Sequence, residues 1–154
     1  STWWTTNDAT FEITGVQLEV GDTATDFEHR SYADELARCQ RYYVMIVNAY
    51  NQNICMAMHY GGSAAYGLYH MPVTMRDTPS IDVKNGTNYW NFMRDSSGDN
   101  FNTLALSSDT SARVARFNTT ADISGTSGHA GWFMSWGSGS MSSADIYCAL
   151  SAEL

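Results

Sequence analysis

Charge is scarce in this chain. Asp, Glu, Lys and Arg together make up 16% of its 154 residues, against about 25% in an ordinary globular protein. Basic charge is scarcer still, with 8 Lys and Arg against 16 Asp and Glu and a net charge of −8. A surface this acidic repels phosphate backbones and anionic headgroups, which argues against nucleic acid and membrane surfaces as partners. Long hydrophobic runs are missing as well: no stretch approaches the about 18 apolar residues of a transmembrane span. The opening STWWTTNDAT has neither a basic n-region nor an apolar h-region, so no signal peptide is read there and synthesis in a cytoplasm is expected. A start without Met points to a processed product or a piece of a longer protein. Cysteine is limited to Cys39, Cys55 and Cys148. Their odd number, wide spacing and lack of C-x-x-C give no support to a disulfide framework or a zinc site. They read as three reduced, buried thiols packing as small hydrophobes.

Catalytic signatures are also lacking. His29, His59, His70 and His129 form no H-x-x-x-H, and neither G-x-S-x-G nor G-x-x-x-x-G-K is present. The chain is therefore read as no enzyme, with no cofactor and no metal. The one enzymatic alternative is a glycan depolymerase whose catalytic part lies elsewhere in a parent chain, since paired carboxylates across a groove would be required. Asp95-Ser96-Ser97-Gly98-Asp99-Asn100 offers oxygen ligands of the kind calcium accepts. Its spacing is not that of an EF-hand, and an Asx-rich hairpin turn is the favoured reading. Two sequons, at Asn85 and Asn118, are read as chance.

What is present is Ser, Thr, Asn, Gly and aromatic side chains, arranged in short periods. Phe11 to Val20 alternates, with Val16, Leu18 and Val20 sharing one face, which predicts a strand. A lone strand cannot bury that face, so it must complete a sheet upstream, in another subunit or in the domain that follows. Ser31 is a good N-cap, with Asp34 and Glu35 in the first turn behind it and Arg38 and Arg41 near the far end. Tyr32, Leu36, Cys39, Gln40 and Tyr43 fall on one stripe of the helix so predicted. About three turns cannot stand alone in water, so Tyr32, Leu36, Cys39 and Tyr43 are expected to make oligomer contacts. Ala33 and Ala37 would let a second helix come close.

From Tyr42 the pattern is all-β. Strands are expected at 43–48, 54–60, 66–73, 80–84, 87–94, 101–106, 113–118, 131–136 and 145–152. Asn85-Gly86 predicts a type I′ hairpin between the fourth and fifth of these. Further turns are expected at Gly61-Gly62-Ser63, at 95–100, at 124–128 and at 137–139, and Pro72 and Pro79 fit strand ends. The expected fold is mainly β: an N-terminal strand and short connector helix in residues 1–43, then an antiparallel jelly-roll-like β-sandwich in residues 44–154. Trp132, Met134 and Trp136 share a face that reads as core. Tyr50, Tyr60, Tyr66 and Tyr69 lie near Gly- or Asn-rich turns. Exposed rings there could stack on the apolar face of a sugar, which makes them the candidate glycan-binding residues.

The run FEITGVQLEVGDTATDFEHRSYADELARCQRYY, residues 11–43, closely resembles a segment of bacteriophage tail-fibre and other virion structural proteins, marine and cyanobacterial phages in particular. The matching residues are Ile13 to Glu19, Gly21, Ala24-Thr25, Phe27-Glu28, Arg30 and Cys39 to Tyr43. Met71 to Pro79 resembles a second element of that family, a strand ending P-V-x-M-R-x-x-P, and Tyr147 to Leu154 resembles the usual end of such fibres. In the family, ITGVQLE is usually the last strand of a preceding jelly-roll domain. The resemblance implies the distal, receptor-binding module of a tail fibre: a homotrimer, attached to other virion tail proteins, binding a host cell-surface glycan or lipopolysaccharide and located in the virion. The alternative is a non-adhesive virion component, such as a capsid decoration, head fibre or neck or fibre-attachment protein.

Overall fold

The computed structural model describes residues 10, 12–137 and 146–153. Among these residues one helix, α1 (Tyr32–Gln40), leads into ten strands: β1 (Tyr43–Val47), β2 (Asn53–Gly61), β3 (Ala64–His70), β4 (Ser80–Val83), β5 (Trp90–Arg94), β6 (Ser97–Phe101), β7 (Ala105–Leu106), β8 (Val114–Thr119), β9 (Ala130–Ser135) and β10 (Cys148–Ser151). All their ladders are antiparallel. They build a three-stranded sheet of order β1-β10-β4 and a seven-stranded sheet of order β6-β5-β9-β2-β3-β8-β7. β10 sits between β1 and β4, and β9 between β5 and β2. Such crossed-over connections belong to a jelly-roll-like sandwich rather than a meander.

The two sheets share one core. Val44, Val47, Cys148 and Leu150 of the small sheet join Phe92, Phe101, Phe117 and Phe133 of the large one. Phe133 is the hub, edge-on to Phe92 at 5.7 Å and to Phe101 at 5.4 Å, within the range where such rings attract. Three glycines permit the closeness of this packing. A Cβ on Gly67 would lie 2.6 Å from Cys55 Sγ, and one on Gly131 would strike the Met93 carbonyl. At Gly86 the obstacle would be the Tyr89 ring, 2.7 Å away.

Several expectations from the sequence are corrected. Asn85-Gly86 makes no hairpin, because β4 pairs with β10 in the small sheet while β5 pairs with β6 and β9 in the large one. The tight turn lies at Asp95-Ser96, both at positive φ (46° and 60°), as a two-residue type I′ turn between Arg94 and Ser97 requires. The expected strand at 101–106 is two strands, β6 and β7, that pair with different neighbours. Residues 12–20 form no ladder, and Ile13, Val16, Leu18 and Val20 are exposed; Phe11 lies outside the described residues, as does much of the turn at 137–139. Helix α1 stops at Gln40, so Tyr43 opens β1 instead of closing the helical stripe. Cys148 is buried and Cys55 half-buried, as small hydrophobes, but Cys39 is exposed; all three thiols are free.

Asn85 has a different task. Its Oδ1 accepts from Trp90 Nε1 at 2.8 Å and from Leu104 N at 2.9 Å, and its Nδ2 donates to the Leu104 carbonyl at 3.3 Å. Trp90 and Leu104 are fully buried, so this amide satisfies groups that have no access to water. The connector is fastened by side chains as well. The Glu19 carboxylate accepts from the Thr25 backbone N–H and hydroxyl at 2.6 and 2.5 Å, and these bonds hold its pKa below the usual value. Gln17 Oε1 accepts from Glu28 N at 2.8 Å, and Arg30 pairs with both Glu28 and Glu35.

Candidate functional site

Alternation along the strands sends one set of side chains of the large sheet into the core and the other outward. On β2, Ala57 and His59 are buried, while Met56, Met58 and Tyr60 are exposed. On β3, Ala65 and Gly67 are buried and Tyr66 and Leu68 point the other way. On β9, Phe133 is core and Trp132 is exposed. Of Trp132, Met134 and Trp136, read as a core face, Met134 is buried, Trp136 is half-buried and Trp132 is exposed. Phe133 fills the interior, and Trp132 lies on the outer face.

Register collects these outward residues into rows. Met93 is opposite Trp132, and Trp132 is opposite Met56. The Ala57–Gly67 and Met58–Tyr66 pairs bring Met56 level with Leu68, which is opposite Arg116. The next row runs Ala130, Met58, Tyr66 and Asn118. Tyr60 stands beyond it, at the end of β2. With Tyr60 70%, Met56 68% and Leu68 55% exposed, the outer face is a contiguous apolar platform. Uncovered patches of this kind mark ligand or protein contacts.

The polar end of this platform is built around two tyrosines. Tyr60 and Tyr66 stand edge to face, with ring centroids 5.5 Å apart at 86°. Arg116 lies over Tyr66 with its Cζ 4.3 Å from the ring centroid, and its guanidinium is paired with Asp109. Asn118 is opposite Tyr66 on β8. The hairpin loop is steadied where Ser127 Oγ donates to the Tyr60 carbonyl at 3.0 Å and Gly125 N to the Gly62 carbonyl at 3.0 Å. An exposed ring beside a fixed cation and a carboxamide is a surface on which a sugar can stack and hydrogen-bond.

The other two candidate tyrosines lie elsewhere. Tyr69 is half-buried on the core side of β3, 6.5 Å from Phe117, and burial pushes its phenol pKa up. Tyr50 packs against the core, with its ring where a Cβ on Gly137 would be. The structure therefore brings Tyr60 and Tyr66 together and separates them from Tyr50 and Tyr69. Sequence reasoning missed Arg116, Met56, Met58, Leu68 and Trp132. Strict alternation on β2 and β8 carried the signal, but not which face was inside.

The candidate oligomer residues form a second uncovered surface. Tyr32, Leu36, Cys39 and Tyr43 are all exposed, and no residue of α1 is buried. The side of α1 that carries Asp34, Ala37 and Arg38 faces an open groove of about 470 Å³, shared with Arg41 and with Val73 to Met75 of its own sandwich. At 100° per residue, Tyr32, Leu36 and Cys39 lie opposite. The helix thus turns its polar side to its own domain and its apolar side away, the reverse of a helix that covers its own core.

The 95–100 segment is structural. Asp95-Ser96 makes the β5–β6 turn, and Asp99 is held by Arg94 at 2.7 Å. Among the described residues no group of three or more His, Cys, Asp and Glu is placed to hold a metal ion, and no helix is long and apolar enough to cross a membrane. No family model, curated protein or solved structure matches the chain.

Proposed function

We propose that this chain is the distal module of a bacteriophage tail fibre, a virion structural protein that attaches the particle to its host by binding a cell-surface glycan, lipopolysaccharide included. The observation that carries the reading is the Tyr60–Tyr66 pair on the outer sheet face, with Arg116 stacked behind it and Asn118 beside it. Tyr60 offers a face to the apolar side of a pyranose, and Arg116 and Asn118 offer donors to its hydroxyls or acidic groups. The outward stripe of α1 supports a homo-oligomer, a trimer in the fibre reading. Several such sites on one fibre give avidity from individually weak contacts. No catalytic residue is assigned.

Binding of the purified protein to bacterial cells, with competition against phage adsorption, tests this. Saturable binding that falls on Tyr60→Ala supports it; no binding to cells or glycans removes it. A second reading, a non-adhesive virion component such as a capsid decoration, head fibre or neck protein, is favoured by one observation. The row Met93, Trp132, Met56 and Leu68 is apolar throughout and suits a protein contact better than a sugar. Electron cryo-microscopy of the particle separates the two, through density at a fibre tip or on capsid or neck.

A further inference from the structure

An anionic sugar needs a cation where it binds, and the cations of this chain can be followed one by one. All 8 Lys and Arg side chains belong to described residues. Only Arg94, Arg113 and Arg116 lie on strands of the seven-stranded sheet or on loops joining two of them. Arg94 pairs with Asp99 at 2.7 Å and donates to the Ser124 carbonyl. Arg113 precedes β8, five residues from Asn118, or about 16 Å along the strand. That is about twice the screening length of physiological salt. Arg116 alone stands at the tyrosine pair, and it carries its own counter-ion, Asp109. We propose that Asp109 is a specificity-determining residue: by neutralising Arg116 it makes the Tyr60 end of the sheet select uncharged sugars and reject glycans that carry carboxylate or phosphate. The proposal rests on the glycan reading and narrows its ligand.

The loop between β7 and β8 holds Asp109 in place. Ser107 N donates to the Arg116 carbonyl at 2.8 Å, and Arg116 N donates to Thr110 Oγ1 at 3.1 Å. Thr110 N donates to the Ser107 carbonyl at 3.1 Å and closes the turn in which Asp109 lies. Backbone bonds to Arg116 itself therefore deliver the carboxylate to the Arg116 guanidinium. Around the Tyr60 end, residues 60–65 and 120–128 contain no Lys or Arg, and Asp122 is their one charged side chain. Ser63, Thr120, Thr126 and Ser127 are exposed there. Hydroxyls and a neutralised arginine can hydrogen-bond the hydroxyls of a sugar. They bring no net positive charge to offset a carboxylate or phosphate, and the chain as a whole, at −8, repels both. Asp109 thus acts as a repulsive element, one of the two ways in which a site discriminates between ligands.

Purified bacterial polysaccharides test this in two sets, one built only of uncharged sugars and one carrying uronic acid or phosphate. Binding of the full chain is measured at about 0.01 M and about 1 M salt, where the screening length falls from about 30 to about 3 Å. The expected result is binding confined to the uncharged set and changed less than about twofold by salt. Asp109→Asn should raise affinity for the acidic set about fivefold at low salt, the scale of one exposed ion pair. High salt should abolish that gain, and uncharged ligands should stay within about twofold of their original affinity. Asp109 is exposed, so the unfolding midpoint should not move. If Asp109 only holds Arg116 in position, Asp109→Asn weakens the uncharged ligands and brings no gain. That outcome overturns the inference, as does binding of the unaltered chain to the acidic set or binding that falls with salt. Binding to the acidic set that Tyr60→Ala removes leaves adhesion standing and overturns the selectivity alone, whereas binding to neither set removes both.

Discussion

Arg116 lays its guanidinium over the Tyr66 ring, 4.3 Å from the ring centroid, while Asp109 pairs with the same group. The cation therefore holds one tyrosine still and leaves its edge-to-face partner, Tyr60, as the exposed ring. The two should contribute differently. Tyr60→Ala removes the stacking surface and is expected to weaken glycan binding tenfold or more, about 1.4 kcal/mol. Arg116→Ala removes a cation–π contact of about 0.5–1 kcal/mol and should cost only about two- to fivefold. Isothermal calorimetry with a bound oligosaccharide measures both, and equal effects would contradict this division of roles.

Asn85 should behave as a structural residue. Asn85→Ala leaves the buried Trp90 indole N–H and the Leu104 backbone N–H without their acceptor. Each buried orphan costs about 1–3 kcal/mol, so a loss of several kcal/mol in urea unfolding is expected, with no change in the ligand affinity of molecules that remain folded.

Gly131→Ala and Gly67→Ala test the close packing of the large sheet. The first sets a methyl against the Met93 backbone carbonyl, the second against the Cys55 sulfur and, at 2.9 Å, the Met56 backbone carbonyl. Overpacking costs about 1–3 kcal/mol. The Gly131 change should be the more severe, because its methyl would lie closer to a ladder carbonyl than the methyl added at Gly67. Chemical denaturation of the two variants orders them.

The thiols should divide into two classes. Burial pushes Cys55 and Cys148 up to about 12 from 9, so both should resist alkylation in the native state while exposed Cys39 reacts. The raised values also set a pH dependence. Below pH 9 these thiols are protonated in both folded and unfolded states, and their contribution is fully present. Above pH 9 only the unfolded chain ionises, and stability falls by up to about 1.4 kcal/mol per thiol per pH unit until the folded pKa near 12. Urea midpoints from pH 8 to 11, compared with those of a Cys55→Ala/Cys148→Ala variant, check the slope.

The strands and the helix were legible because they are written in short periods: the alternation of β2 and β8, the Ser31 cap and the acidic first turn of α1. Which face pointed inward was not. In Trp132-Phe133-Met134 both faces are apolar, and only pairing with β2 and β5 puts Phe133 inside. Asn85-Gly86 has the composition of a hairpin turn, but the partner of β4 is β10, far along the chain, and local chemistry yields to that pairing. Asp95-Ser96 makes the hairpin turn with less typical residues because β5 and β6 already fix its register. Tyr60 and Tyr66 were found by their place beside Gly61-Gly62, whereas Tyr50 and Tyr69 shared the same local signature and turned inward.

The central claim is that the outer sheet face binds a bacterial surface glycan through Tyr60. Equilibrium binding of the purified protein to a panel of purified bacterial lipopolysaccharides, by surface plasmon resonance, tests it most directly. Saturable binding to at least one of them, reduced tenfold or more by Tyr60→Ala and left intact by Tyr69→Phe, is the predicted result. Binding to none, or binding that Tyr60→Ala leaves unchanged, would contradict it.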